Sequence, residues 1–176
     1  EAFALLNAEA AASPPGARGL VLLPYLSGER TPLHDPQAKG VVFGLDLTHT
    51  RGDLYRAALE GIAAATRHIV ETYREAGHAP ARVMAVGGGA RGPWLQAASD
   101  MTRLPQELRR VTLGAAYGDA FLAAQAIGAA AAHDIDRWNP PASLCEPREV
   151  PAYDAHWRVF RALYDRTKDL MRERPT

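Results

Sequence analysis

Residues 82–92 read RVMAVGGGARG, an apolar run that passes directly into three consecutive glycines. The apolar part, residues 82–86, has the length and composition of a short buried strand. Glycines 87–89 carry no side chains, so the backbone can approach a bound molecule closely, at a high cost in conformational entropy. A helix is predicted directly afterwards, at about 93–101, and N–H groups near a helix N-terminus favour an anionic or polar group. A tight turn without a ligand is the alternative, but that entropy cost favours a ligand site.

Gly87, Gly89 and Gly92 also satisfy G-x-G-x-x-G, the pattern of dinucleotide-binding loops. That pattern belongs to the first strand of a βαβ unit, with an acidic residue closing the second strand about 20 residues later. Glu107 comes early and falls within its predicted strand, and no Gly-Lys-Ser/Thr follows the glycines. An NAD(P)-binding oxidoreductase domain therefore stays an alternative that rests on the glycine pattern alone.

Outward from this unit, strands and helices alternate along the chain, which predicts an α/β sandwich. The other predicted elements are a helix at 2–11, a strand at 20–23, an ordered loop at 25–40, a short strand and turn at 40–45, an edge strand at 105–111, a helix after Thr112 with small residues for close packing, a Pro-rich connector at 138–151 and a final helix at about 153–173. Only three strands stand out, which is few for a self-sufficient sheet.

A long amphipathic helix is predicted between Thr50 and Gly77. Thr50 is a good N-cap, and Asp53 follows at the position of a capping box. Residues at helical spacing form an apolar stripe predicted to be buried: Leu54, Ala58, Ile62, Ala65, Ile69 and Tyr73. The other face carries the charges Arg56, Glu60, Arg67, Glu71 and Arg74.

Composition excludes several classes of partner. The 176 residues hold 20 Lys+Arg and 20 Asp+Glu, which argues against nucleic acid or an anionic membrane as the main partner. The single cysteine, Cys145, excludes an internal disulfide and a multi-cysteine metal site, and the six histidines show no metal-ligand spacing. The single cysteine also indicates a reducing compartment, so we expect a cytoplasmic protein. No apolar run approaches the roughly 20 residues that a membrane span needs.

Several motifs follow one another in a fixed order. They are PYLSGERTP at 24–32, GVVFGL at 40–45, the acidic-hydrophobic pair at 53–54 with Ala-x-hydrophobic-acidic at 57–60, the glycine run at 87–90 and GAAYGDA at 114–120. Together they resemble the FGGY family of carbohydrate kinases, from about residue 18 to 170. The glycine-rich stretch departs from the family by being one residue shorter after the glycines. A phosphate-binding Gly-Thr-Ser hairpin, which opens the family's C-terminal domain, has no match here.

The resemblance implies an α/β fold of the sugar kinase/actin-like ATPase (ribonuclease H-like) type that lacks its first strands. It identifies residues 1–176 as the C-terminal nucleotide-binding domain, without the N-terminal sugar-binding domain. The implied reaction uses ATP and Mg²⁺ to phosphorylate a sugar hydroxyl, with a pentulose such as xylulose as the substrate. The implied nucleotide site is Gly87, Gly88, Gly89 and Ala90, with Arg91 as a lid on the base.

The catalytic aspartate of this family lies in the N-terminal domain, so the resemblance implies no catalytic residue and no metal ligand in this chain. We therefore expect the chain to be inactive alone and to self-associate, for example as a homodimer, because an incomplete domain exposes apolar surface. A non-catalytic kinase remnant that acts as an interaction module stays a further alternative.

Overall fold

The computed structural model describes residues 2–112 and 114–173. Helices and strands alternate in these ranges, which confirms the predicted α/β class. In chain order the elements are α1 (Ala2–Ala12), β1 (Val21–Leu23), β2 (Val41–Phe43), α2 (Arg51–Glu75), β3 (Val83–Ala85), α3 (Gly92–Thr102), β4 (Gln106–Arg109), α4 (Ala115–Ala126), α5 (Ile135–Trp138), β5 (Pro141–Cys145) and α6 (Ala152–Arg172).

The strands form two small sheets. β3 and β4 are parallel neighbours connected through α3, and β5 pairs antiparallel with the far side of β4. β1 and β2 form a separate antiparallel pair. The prediction that β4 is an edge strand was therefore wrong, because the Pro-rich connector contains β5. That strand begins at Pro141, and proline is tolerated at the first residue of an edge strand.

α2 begins and ends where the sequence indicates. The Thr50 hydroxyl accepts the N–H of Asp53 at 3.2 Å, and the Asp53 carboxylate accepts the N–H of Thr50 at 2.8 Å, so the capping box is present. The helix ends at Glu75, and Gly77 follows with a φ of +82°. A left-handed residue after a helix is typical of a glycine C-terminal stop.

The buried face of α2 differs from the predicted one. Leu54, Ile62 and Tyr73 of the apolar stripe are 37%, 43% and 55% exposed, whereas Arg56 and Glu60 of the charged face are buried. The small residues of α2 decide this orientation, since they let α1 and β1 approach the helix backbone closely. The ion pair between Arg56 and Glu60 compensates for the burial of two charges.

The core joins α6 to β1 and to the loop that follows it. Tyr25 is 2% exposed, and its ring lies 6.2 Å from that of Phe160 and 5.9 Å from that of Tyr164. The Tyr164 hydroxyl donates to Asp35 at 2.9 Å. These contacts hold the segment at 25–40 against α6 at both Tyr25 and Asp35, which confirms that it is an ordered loop.

α4 packs through aromatic residues and not through its small ones. The Tyr117 and Phe121 rings lie 5.9 and 5.5 Å from that of Trp138. The predicted close backbone packing is not seen, because Gly114 and Gly118 are exposed. The predicted start of this helix at residue 113 lies outside the described residues, and α4 begins at Ala115.

Candidate functional site

The glycine loop links the carboxyl end of β3 to the N-terminus of α3. The Gly87 N–H donates to the carbonyl of Thr112 at 3.1 Å, so the loop is attached to the segment that follows the parallel neighbour β4. Ala90 is 5% exposed and packs with Ala85 and Leu95. The structure thus brings the predicted residues 87–91 together in one turn that is anchored at both ends.

The glycines of this loop have two different explanations. Gly87 and Gly92 have φ values of +90° and +64°, which side chains rarely adopt. Gly88 and Gly89 lie outside that region. A Cβ on Gly88 would meet only the Arg91 guanidinium, at 3.9 Å, and one on Gly89 would meet no atom within 4 Å. Neither backbone strain nor packing requires glycine at positions 88 and 89. The two glycines leave room for another molecule to lie against the backbone.

The same two residues present unused hydrogen-bond donors. Among the described residues, neither the Gly88 N–H nor the Gly89 N–H donates to a protein acceptor. Both glycines are exposed and lie within four residues of the first residue of α3. Adjacent free N–H groups beside a helix N-terminus suit an anionic or polar ligand atom.

The loop forms one wall of a cleft of about 630 Å³. The lining residues come from α1 (Phe3, Ala4, Asn7), α2 (Tyr55, Leu59, Ile62), the loop region (Val86, Gly88, Gly89, Ala90, Arg91) and α3 (Trp94). The surface is mostly apolar with a few polar groups, which is the usual character of a small-molecule site. The walls from α1 and α2 were not predicted from the sequence.

A second cavity, of about 400 Å³, is more polar and is lined by Arg67, Arg103 and Arg148 among others. Each of these arginines already pairs with a carboxylate at 2.7–3.0 Å. These ion pairs compensate the charges of the arginines, so the cavity attracts an anion less strongly than three arginines would suggest. The cleft beside the glycine loop is therefore the stronger candidate site.

Arg91 lies in the cleft wall, as the lid prediction requires, but its side chain turns back onto the loop. Its Nε donates to the Gly88 carbonyl at 2.8 Å. Its backbone N–H donates to the Gly89 carbonyl at 2.7 Å. In this structure Arg91 thus holds the loop itself.

Glu107 does not occupy the place that a dinucleotide site needs. It lies inside β4, and its carboxylate pairs with the Arg109 guanidinium at 2.6 Å. In dinucleotide-binding domains the acidic residue closes the second strand and binds the ribose. The geometry therefore gives no support to the NAD(P) interpretation.

The acidic residues of the motif at 53–60 have structural contacts. Glu60 is 1% exposed, and its carboxylate accepts from Arg56 Nε at 2.7 Å, from the Tyr153 hydroxyl at 2.9 Å and from the Gly16 N–H at 3.0 Å. Burial raises the pKa of Glu60, and the bonds from Arg56 and Gly16 oppose that rise. The network joins α2, α6 and the turn after α1, and none of its residues lines the cleft.

The described residues offer no metal site of their own. Within residues 2–112 and 114–173, no three His, Cys, Asp or Glu side chains lie together in a way that could hold an ion. No helix in the same ranges is long and apolar enough to cross a membrane.

Comparison with known proteins bears on the family and the fold of this chain. A model of the C-terminal domain of the FGGY family of carbohydrate kinases matches residues 1–127. Xylulose kinase from Staphylococcus epidermidis is 33% identical over 175 residues, 97% of this chain and 35% of that protein. Gluconokinase from Bacillus subtilis is 35% identical over 127 residues, 71% of this chain and 24% of that protein.

The crystal structure of xylulose kinase from Rhodospirillum rubrum superposes with a TM-score of 0.82 at 39% identity, covering 97% of this chain and 35% of that one. The chain thus spans about a third of the length of these xylulose kinases. Its α/β fold is that of the sugar kinase/actin-like ATPase class. The chain belongs to the FGGY family of carbohydrate kinases.

Proposed function

We propose that this chain is the ATP-binding part of a carbohydrate kinase that transfers the γ-phosphate of ATP to a sugar hydroxyl. The observation that carries the proposal is the pair Gly88 and Gly89, which line a mostly apolar cleft and have free N–H groups and open Cβ positions. The cleft suits the adenosine part of ATP, and the N–H groups suit its polar or phosphate oxygens.

Phosphoryl transfer depends mostly on positioning and charge stabilisation. In this proposal the loop at 87–91 and the cleft bind and orient the nucleotide. The carboxylate that takes the proton from the sugar hydroxyl lies in the N-terminal sugar-binding domain, outside this chain. The chain alone should therefore not phosphorylate xylulose, ribulose, gluconate or glycerol, and turnover of any of them would contradict this division.

The sugar that we propose is a pentulose such as xylulose. Its support is that the relatives aligned over nearly the whole chain are xylulose kinases, while the gluconokinase match covers 71% of the chain. ATP and phosphorylated sugars are cytoplasmic metabolites, so we expect the kinase to work in the cytoplasm.

Nucleotide binding can be tested by isothermal titration of the chain with ADP, ATP and NAD. We expect ADP and ATP to bind and NAD not to bind. Gly89→Val fills the open space beside the loop, so ADP affinity should fall about tenfold or more, as a 1–3 kcal/mol overpacking cost implies. Its melting temperature should not change, since no protein atom lies within 4 Å of that Cβ.

Ala79→Val is the control, because it adds a branched side chain at an exposed position outside the cleft lining. It should leave ADP affinity unchanged. The proposal fails if neither ADP nor ATP binds at millimolar concentration, or if Gly89→Val binds ADP as the wild type does. Binding of NAD without ADP would favour the oxidoreductase alternative.

A further inference from the structure

The two carbonyl groups of Gly88 and Gly89 are both bound by one residue. Arg91 Nε donates to the Gly88 oxygen at 2.8 Å, and the Arg91 N–H donates to the Gly89 oxygen at 2.7 Å. We propose that Arg91 is a positioning residue, whose side chain holds the Gly88–Gly89 peptide so that its N–H is presented to the ligand. The proposal rests on the proposed function for its ligand, and on the loop geometry for its mechanism.

The direction of the Gly89 N–H follows from the bond to Arg91. The Gly88–Gly89 peptide is trans, and in a trans peptide the C=O and the next N–H point in opposite directions. A carbonyl that is turned toward Arg91 Nε therefore turns the Gly89 N–H away from the Arg91 side chain. That N–H has no acceptor among the described residues.

The Ala90 N–H donates to the Gly87 carbonyl at 3.2 Å and closes a four-residue turn with Gly88 and Gly89 at its centre. That bond leaves the direction of the central peptide open, since type I and type II turns differ by a flip of this peptide and glycine accepts both. Positions 88 and 89 have no side chains, and almost no atoms lie near their Cβ directions. Glycine populates many backbone conformations, so a free Gly-Gly peptide can turn its carbonyl and not its N–H toward the cleft. Fixing the peptide before binding removes that ordering cost from the affinity for the ligand.

The guanidinium also carries a charge, and the two effects can be separated by substitution. In Gln the Nε2 atom stands at the same place along the side chain as Arg Nε, so Arg91→Gln keeps a donor there without the charge. Arg91→Met places a methyl group at that position and removes both. Arg91→Lys keeps the charge but has a methylene at the donor position, with its ammonium one bond further out.

Two measurements follow for the wild type and the three variants. Amide NMR of Gly88 and Gly89 reports whether the peptide is ordered without ligand, and calorimetry reports ADP affinity. We expect Arg91→Gln to keep ordered amides and to bind ADP within about twofold of the wild type, while Arg91→Met and Arg91→Lys show broadened amides and bind about tenfold more weakly. Melting temperatures should agree among all four, because Arg91 is exposed.

The opposite ranking of the variants would overturn the proposal. In that case Arg91→Lys binds ADP as the wild type does, and Arg91→Gln loses as much affinity as Arg91→Met. Such a result indicates that the charge of Arg91 matters and not its donor. Equal order of the two glycine amides in the wild type and in Arg91→Met would overturn it as well. If the wild type does not bind ADP, the proposed function fails, while the amide signals of Arg91→Gln and Arg91→Met still decide whether Arg91 positions the loop.

Discussion

Asp53 shows how one carboxylate can join two parts of the chain. It accepts hydrogen bonds from the Ser13 hydroxyl at 2.6 Å and from the N–H and hydroxyl of Thr50, both at 2.8 Å. The bond from Ser13, followed by those from Thr50, lowers the pKa of Asp53 to about 2. The residue thereby ties the segment after α1 to the first turn of α2, whose dipole also favours a negative charge.

This shift predicts a pH-dependent stability. A carboxyl whose pKa is lower in the folded state stabilises the fold fully above its ordinary pKa of 3.8, and the contribution is lost as the pH falls toward 2. Asp53→Asn cannot titrate. Urea unfolding of both proteins should therefore show the wild type more stable by about 1 kcal/mol at pH 6, with the difference shrinking between pH 4 and pH 2. A difference that stays constant over this range would contradict the assignment.

At the scale of elements, α2 is held close to its neighbours by glycines. A Cβ on Gly61 would lie 2.4 Å from the carbonyl oxygen of Leu22, and one on Gly52 would lie 2.7 Å from that of Glu9. Both obstacles are backbone atoms, which cannot turn aside as a side chain can. The contact of α2 with β1 and with α1 thus depends on the missing side chains.

Gly61→Ala should therefore destabilise the protein by about 1–3 kcal/mol, although alanine is the better helix former by about 1 kcal/mol. Gly118→Ala is the matched control, since Gly118 is also inside a helix but a Cβ there meets nothing within 4 Å. That variant should be more stable by up to about 1 kcal/mol. Thermal unfolding of both variants checks the pair, and equal effects would show that the contact with β1 does not matter.

Local sequence patterns predicted which helices and strands form better than they predicted how these elements pack together. The capping box at Thr50 and the glycines after β3 are local signals, and both were found from the sequence. The buried face of α2 was not predicted correctly. A count of large apolar residues overlooks small residues and a buried, paired charge such as Glu60. The cleft walls were also missed, since Phe3 lies more than 80 residues before the loop and nothing local links the two.

At the scale of the whole molecule, large apolar side chains stay exposed on α2 and on β3. The predicted stripe of α2 is exposed at Leu54, Ile62 and Tyr73, and Met84 of β3 is 48% exposed. Within the part of the chain that the structure describes, β3 pairs with β4 alone and is therefore an edge strand. Contiguous apolar surface and unpaired strand edges favour association with another chain.

We therefore expect the chain to self-associate, with a weight-average mass that rises with concentration in sedimentation equilibrium. The double variant Ile62→Glu/Tyr73→Glu places charges on the exposed stripe of α2 and should shift the equilibrium toward the monomer. Leu170→Glu is the control, because Leu170 is 66% exposed on α6 and lies outside the stripe. This variant should self-associate as the wild type does. A wild-type chain that stays monomeric at high concentration would refute the expectation. An equal loss of association in Leu170→Glu would place the contact on another surface.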